Sequence, residues 1–487
     1  MYMFRFLIFL LLSALSFTAP AQSLSWSELD PYWKATFRDA LELPQDAQPT
    51  LEDLARIRRL DVSGSPDALN PNLMDSRPLG LLTGLEHLNA EYSYISDLSP
   101  LQNCKALRSL RLNRTFVQDI LPLEKLPKLE ELWLANCRGI AIFGPLSELQ
   151  ALRKLSVSGT RITDLSPVAK LTQLERFYAS ETKVSDLSPL RRLKKINKLG
   201  IVATQVRDLS PLAEATALQT LLCWNTPVSD LQPLSKLPEL QQLLCNNTKI
   251  TSLEPLRNAQ KLETLHVAFT GVRDISPLQT LPLLRELLIQ KTPVHDLSPL
   301  AGATNLQKLI AYNCPITNIE VLENLRELRE LSLAATRINT VAPLRTCTEL
   351  RLLDISETKI SSIEALRELT EIRTLLIQQT DISSLAPLKK MSELTELDAG
   401  KTKITSLEGL EDKARLKRLG LSHTKVQSLT PLAGSPQLEL LDISHTQVSN
   451  LDVLSAQTQT RVLAEGTPIT QEIKKQAKQA DEEAAGN

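Results

Sequence analysis

The side chains with the most chemical potential are five histidines, six cysteines and a recurring aspartate, and their spacing limits what each can do. His423 and His445 lie 22 residues apart. At one register of neighbouring strands two imidazoles would stand about 5 Å apart, near enough to share a metal ion, although a solvated pair fits the same spacing. His87, His266 and His295 stand apart from them, and no histidine or serine sits in an H-E-x-x-H or G-x-S-x-G context, so neither zinc-hydrolase nor serine-nucleophile chemistry is indicated. Asp164, Asp186 and Asp208 recur in step, and a column of carboxylates suggests calcium. Each precedes Ser-Pro, however, where a carboxylate serves a turn or a cap better. The cysteines show no C-x-x-C pair. Cys137 and Cys314 replace a recurring threonine, Cys223 and Cys245 take an apolar strand position, and Cys104 and Cys347 stand singly. Cys223 and Cys245 should be neighbours, close enough for a strained bridge. No catalytic residue, metal site or cofactor follows from these patterns, so an enzyme is not expected.

All of these residues are positioned by one repeat. The frame L-x-L-x-x-T-x-(I/V)-x-x-L-x-P-L-x-x-L returns every 22 residues, with its marker threonine at Thr160, Thr182, Thr204 and onward to Thr446, interrupted only by Cys314. Ser65, Ser93, Thr115 and Cys137 extend it upstream, and Thr467 closes it one residue early. A fixed period of this length means one supersecondary unit stacked on copies of itself, with a core shared between neighbours. Within a unit, Leu155 and Val157 lie two apart and share one face of a strand, while Lys154, Ser156 and Ser158 face the other way. Pro167 then suits the start of a short helical turn, capped by Asp164 or Ser166. The fold class is therefore an α/β-type solenoid: a parallel sheet on the concave face, short 3-10 or helical turns on the convex face, about eighteen repeats, and a helical N-terminal cap. Length alone would suggest several domains, but an uninterrupted repeat overrides that.

The D-L-S-P-L element, present at 97 to 101, 186 to 190, 208 to 212 and 296 to 300, together with the strand leucines, resembles the leucine-rich repeats of bacterial internalins. The resemblance covers residues 59 to 469. It implies a non-enzymatic binding scaffold, and it implies that the marker position builds a hydrogen-bonded ladder between turns. Internalins usually carry Asn there; Thr has a single donor and would make part of that ladder. The segment 37 to 64 resembles the internalin cap.

The ends differ from the repeat. Arg5, an apolar run from 6 to 15 and Ala19-Pro20-Ala21 predict a signal peptide over residues 1 to 21. Residues 22 to 58 are the expected helical cap, with Trp33, Phe37 and Leu41 as an apolar stripe and a capping box from Thr50 to Asp53. The solenoid follows over 59 to 469, and 470 to 487 form a polar helix or tail. The expected location is the periplasm or outside the cell, without stable membrane insertion after signal cleavage, and as a monomer. The net charge of -1 gives no basic field for nucleic acid.

What remains unassigned by the repeat is the exposed strand face. Its central column reads Trp133, Ser156, Tyr178, Gly200, Leu222, Leu244, His266, Leu288 and Ile310. Two residues further on lie Trp224 and Tyr312, with Phe269 beside them. Apolar side chains that face solvent mark an interaction site, and aromatic ones anchor it. Basic residues such as Arg111 and Lys198 gather early and Asp354, Asp398 and Asp442 late, which could orient a partner. The expected partner is a protein; a glycan stacked on Trp133, Tyr178, Trp224 and Tyr312 is the alternative.

Overall fold

The computed structural model describes residues 24–454 and 459–470; the predicted signal peptide, 1–21, and residues 471–487 of the predicted tail lie outside the described residues. The chain divides into two compact units, Met1–Gly200 and Ile201–Asn487.

The first unit opens with a helix, Pro31–Ala40. Asp30 starts it by accepting a hydrogen bond from the Trp33 amide at 2.9 Å, and Pro31 takes the first helical position, where its missing N–H costs nothing. Trp33 and Phe37 are fully buried, with ring centroids 5.4 Å apart, and the Trp33 indole donates to the carbonyl of Asp75 at 3.1 Å. Leu41 ends the helix instead of extending its stripe. A second short helix, Leu51–Leu54, carries the expected capping box: Thr50 accepts from the Asp53 amide, and the Asp53 carboxylate accepts from the Thr50 amide at 3.0 Å. Seven parallel strands follow among the described residues, from Arg59–Asp61 to Lys198–Gly200.

The second unit holds twelve parallel strands among its described residues, from Thr220–Leu222 to Arg461–Leu463. Each is three residues long, and the central side chain, such as Leu243, Leu265 or Leu309, is fully buried in all but the last, where Val462 is partly exposed. The strands pair register for register, so Leu243 faces Leu265 and Leu265 faces Leu287. Among the described residues, no helix is long and apolar enough to cross a membrane.

Three side-chain columns shape every turn. The marker threonines are buried, and each hydroxyl donates to the carbonyl three residues back at 2.6 to 2.8 Å, as Thr160 does to Val157 and Thr358 to Ile355. This differs from the expected ladder, because the bond closes a turn within one repeat. The two substituting cysteines do reach across: the Cys137 thiol donates to the Leu112 carbonyl at 3.0 Å, and Cys314 to that of Ile289 at 3.1 Å. The longer C–S bonds bring sulfur to a carbonyl that a threonine hydroxyl leaves to its own repeat.

The aspartate column closes the outer turn. Asp186 accepts from the Ser188 amide at 2.7 Å and from its hydroxyl at 2.6 Å, just before the 3-10 turn Ser188–Arg192, and these bonds hold its carboxyl below the usual carboxylate range. The residue before each marker adopts positive φ, from Tyr92 at 53° to His445 at 57°. Only Gly159 and Gly466 in this column are glycine, so most repeats hold a side chain in the left-handed region.

Candidate binding surface

In the second unit the strand register brings Leu222, Leu244, His266, Leu288 and Ile310 side by side in one column. They are half-buried, because each covers part of its neighbour. The core does not require them; it is filled from the opposite face by Leu221, Leu243, Leu265, Leu287 and Leu309. Trp224 and Tyr312 lie on the adjacent column, four repeats and so roughly 19 Å apart along the stacking direction, and mark the two ends of the apolar column. Between them Asn246 accepts from the Ala268 amide at 2.8 Å, which fixes its side chain.

Phe269 is on neither strand column. It occupies the left-handed position, is 44% exposed, and carries the Lys291 ammonium 5.0 Å from its ring centroid. The residue preceding the marker threonine is the sequence signal for this lateral stripe, which includes Asn225 and Asn247, bonded to each other at 2.8 Å.

His266 is the titratable member of the column. Its Nε2 stands 3.2 Å from the Glu286 carboxylate, which also faces Lys308 at 3.6 Å; Lys308 in turn meets Glu330 at 3.0 Å. This charged rail borders the leucines on one side. Burial pushes the His266 imidazole below its ordinary value, Glu286 opposes the shift, and Lys308 adds to it. The imidazole is therefore neutral at physiological pH and acts as part of the apolar surface.

In the first unit Trp133 and Tyr178 flank Ser156 on the central column, with ring centroids 6.0 Å apart and planes within 26°. Ser156 is buried between them, and Tyr178 also overlies Gly200, where a Cβ would stand 2.8 Å from its ring. The small residues make room for the large ones.

The remaining chemical candidates fall into structural places. His423 and His445 stack at 4.3 Å in the left-handed column, away from the strand face. All six cysteines are free and buried; burial raises the Cys104 thiol to about 12 and the Cys347 thiol to about 11, far from nucleophilic at neutral pH. The Cys245 thiol is raised by its contact with Cys223 and by burial. Asp354, Asp398 and Asp442 do share the central column late in the second unit, and the Asp398 carboxyl is raised by burial and by Asp442, Glu396 and Asp354.

A model of leucine-rich repeats in two copies matches residues 216–258. Its span includes Leu222 and Leu244, the first two members of the apolar column. The chain has an internalin-like leucine-rich-repeat fold. An internalin, InlF, from Listeria monocytogenes is similar over 83% of this chain and 98% of its own, at 23% identity and a TM-score of 0.52. The functional domain of InlJ from the same organism covers 76% of this chain and 79% of its own at 20% identity, TM-score 0.63. A leucine-rich-repeat protein of Leptospira interrogans covers 85% and 97% at 16% identity, TM-score 0.57. No curated protein sequence matches this chain. Likeness at these identities concerns the solenoid alone, and the surface residues are this chain's own.

Proposed function

We propose that the chain is an exported, non-enzymatic binding protein that recognises a protein partner through the strand face of its second unit. The observation that carries this reading is the continuous column from Leu222 to Ile310, which packs register by register yet contributes nothing that the core lacks. An apolar strip with aromatic ends at Trp224 and Tyr312 and a charged rail along one border has the composition of a recognition surface: a desolvated centre and a polar rim. A neutral His266 keeps that centre free of an unpaired charge. Support for export comes from Arg5, the apolar run after it and Ala19-Pro20-Ala21. Buried, high-pKa thiols and turn-bound aspartates favour binding over catalysis.

The test is affinity capture with the full-length gene product recovered from an expressing bacterium. Chain processed after Ala21 should appear in the periplasm or medium; recovery only in the cytoplasm with residues 1–21 retained overturns export. The exported chain should retain a protein from envelope or host extracts, and Trp224→Ala or Leu288→Arg should weaken that complex by roughly tenfold or more, whereas Arg257→Ala on an outer turn should not. Equal loss from all three variants, or loss of capture after glycosidase treatment of the extract, overturns the protein-partner reading.

A further inference from the structure

The strand-to-strand step is 22 residues almost everywhere, and the two departures within the first unit flank one cleft. Between Leu60 and Leu88 the step is 28 residues, and between Leu132 and Leu155 it is 23. The longer segment folds back as a wall: Gly64 donates to the Glu91 carbonyl, Asn70 to that of Tyr92, and Tyr94 returns a bond to Asn70. The Asn70 carboxamide also donates to the Tyr32 hydroxyl at 2.8 Å, which ties the wall to the N-terminal helix. At the other end Gly139 is the extra residue. A Cβ there would come within 2.8 Å of the Val117 carbonyl and the Gln118 side chain, so only glycine lets this bulge close.

Between these walls lies an open cleft of about 570 Å³, with Pro66 and Leu69 on one side and Arg138 and Gly139 on the other. Its floor is the left-handed column, where Tyr92 and Arg114 project outward with the guanidinium 5.7 Å from the ring centroid. Phe116 is 38% exposed and stacks on Tyr94 at 5.1 Å and 12°. The repeat asks for no aromatic at either place, since the next copies carry Arg161 and Lys183 there. No carboxylate lines the cleft, and neither Arg114 nor Arg138 has an ion-pair partner among the described residues.

We propose that this cleft binds an acidic saccharide. Two guanidiniums without a carboxylate partner favour an anionic ligand, and their planar forks match a sugar carboxylate bidentately. The Tyr92 and Phe116 rings offer faces for the C–H side of a pyranose, while the Asn136 and Gln118 carboxamides supply donors and acceptors for its hydroxyls. A volume of this size accommodates a short oligosaccharide, and the open sides let a longer chain pass through. This site is independent of the protein-recognition surface in the second unit.

Calorimetric titration of the exported chain at low salt tests the assignment with trigalacturonate, a hyaluronan tetrasaccharide and 3′-sialyllactose; fully methyl-esterified trigalacturonate, sulfate and a phosphotyrosine peptide serve as comparisons. At least one acidic saccharide should bind, the ester should not, and Arg114→Gln and Arg138→Gln should each weaken binding by roughly tenfold. Phe116→Thr should weaken it as well, while Arg207→Gln should leave it unchanged. These positions are exposed, and an unchanged thermal midpoint certifies each variant's fold; Arg114→Lys, which keeps the charge and loses the fork, should lie between wild type and Arg114→Gln. Absence of binding by all three saccharides overturns the proposal. So does equal binding of the ester, sulfate or phosphopeptide, or an equal effect of Arg207→Gln.

Discussion

At the residue scale the surface is built from positions where the repeat tolerates a cost. Left-handed backbone at Ala203, Phe269 or Lys291 costs each about 1 to 2 kcal/mol relative to the right-handed region, and the flanking repeats hold it in place. A glycine would relieve that cost, yet most copies carry a side chain there, and in this column Tyr92, Arg114, Phe269 and Lys291 make their ring and cation contacts. The late acidic column carries a cost of another kind. Asp398 is raised by burial and by three neighbouring carboxylates, with only the Gly400 amide in opposition. A folded-state value above the unfolded one means that its contribution is fully favourable below the ordinary aspartate range and is lost as pH rises through the folded value. Asp398→Asn should therefore raise the unfolding midpoint at pH 7, since the amide oxygen can still accept from Gly400, and should leave it unchanged near pH 3. Thermal melts at the two values check this; equal midpoints at pH 7, or an equal gain at both, would show that the neighbouring carboxylates do not oppose its charge. The column of aspartates was legible in the sequence from its 22-residue step. Its energetic sign was not, because that depends on Gly420 leaving room beside Asp398 and on how far the strand face closes around it.

At the element scale most repeats are secured by a marker hydroxyl and, at the outer turn, by a carboxylate such as Asp186 or a hydroxyl such as Ser362, each acting within one repeat. The sequence specifies that the marker is buried and polar, and hence that it is hydrogen-bonded, but not its partner. Thr reaches only its own turn, whereas the Cys137 and Cys314 thiols reach the previous one. The longer C–S bond is enough to change the connectivity, which the repeat pattern does not encode. Strands, Ser-Pro turns and the two cap helices were readable because each has a local signature: alternate leucines, a proline at the start of a turn, the four-residue spacing of Trp33 and Phe37, and a capping box at Thr50. The cleft beside Phe116 was not singled out by residue type. Its only trace is a step of 28 and a step of 23, and a loop's path cannot be read from its length. Because the Thr358 bond to Ile355 is buried, Thr358→Val keeps the shape, removes the donor and leaves a carbonyl without this partner. The expected loss is about 1 to 3 kcal/mol. Chemical denaturation against wild type measures it, with Thr358→Ser, which retains the hydroxyl, expected to lose less; an unchanged midpoint for the valine variant would mean that the bond contributes nothing net.

At the scale of the whole molecule, stability is distributed along the stack, because no repeat buries its own core. Leu309 is fully enclosed, and its immediate lateral neighbours are Leu287 and Leu331 on the adjoining strands. Truncation to alanine should cost about 2 to 5 kcal/mol, the usual range for a large-to-small change in a core that cannot collapse onto the gap. In a globular domain that loss would be felt uniformly. In a linear array it enters one repeat and the two interfaces beside it, so neighbouring copies lose support while distant ones keep theirs. Leu309→Ala should therefore accelerate amide exchange most at Ile289, Ala311 and Leu333, whose amides donate between adjacent strands around the cavity, and much less at Leu421, four repeats beyond Leu333 in the same unit. Hydrogen exchange read by mass spectrometry resolves peptides on this scale. Equal acceleration at Leu333 and Leu421 would show that the second unit unfolds as one cooperative body. A graded profile would mean that the apolar column from Leu222 to Ile310 can lose order locally, while the acidic column that follows remains folded.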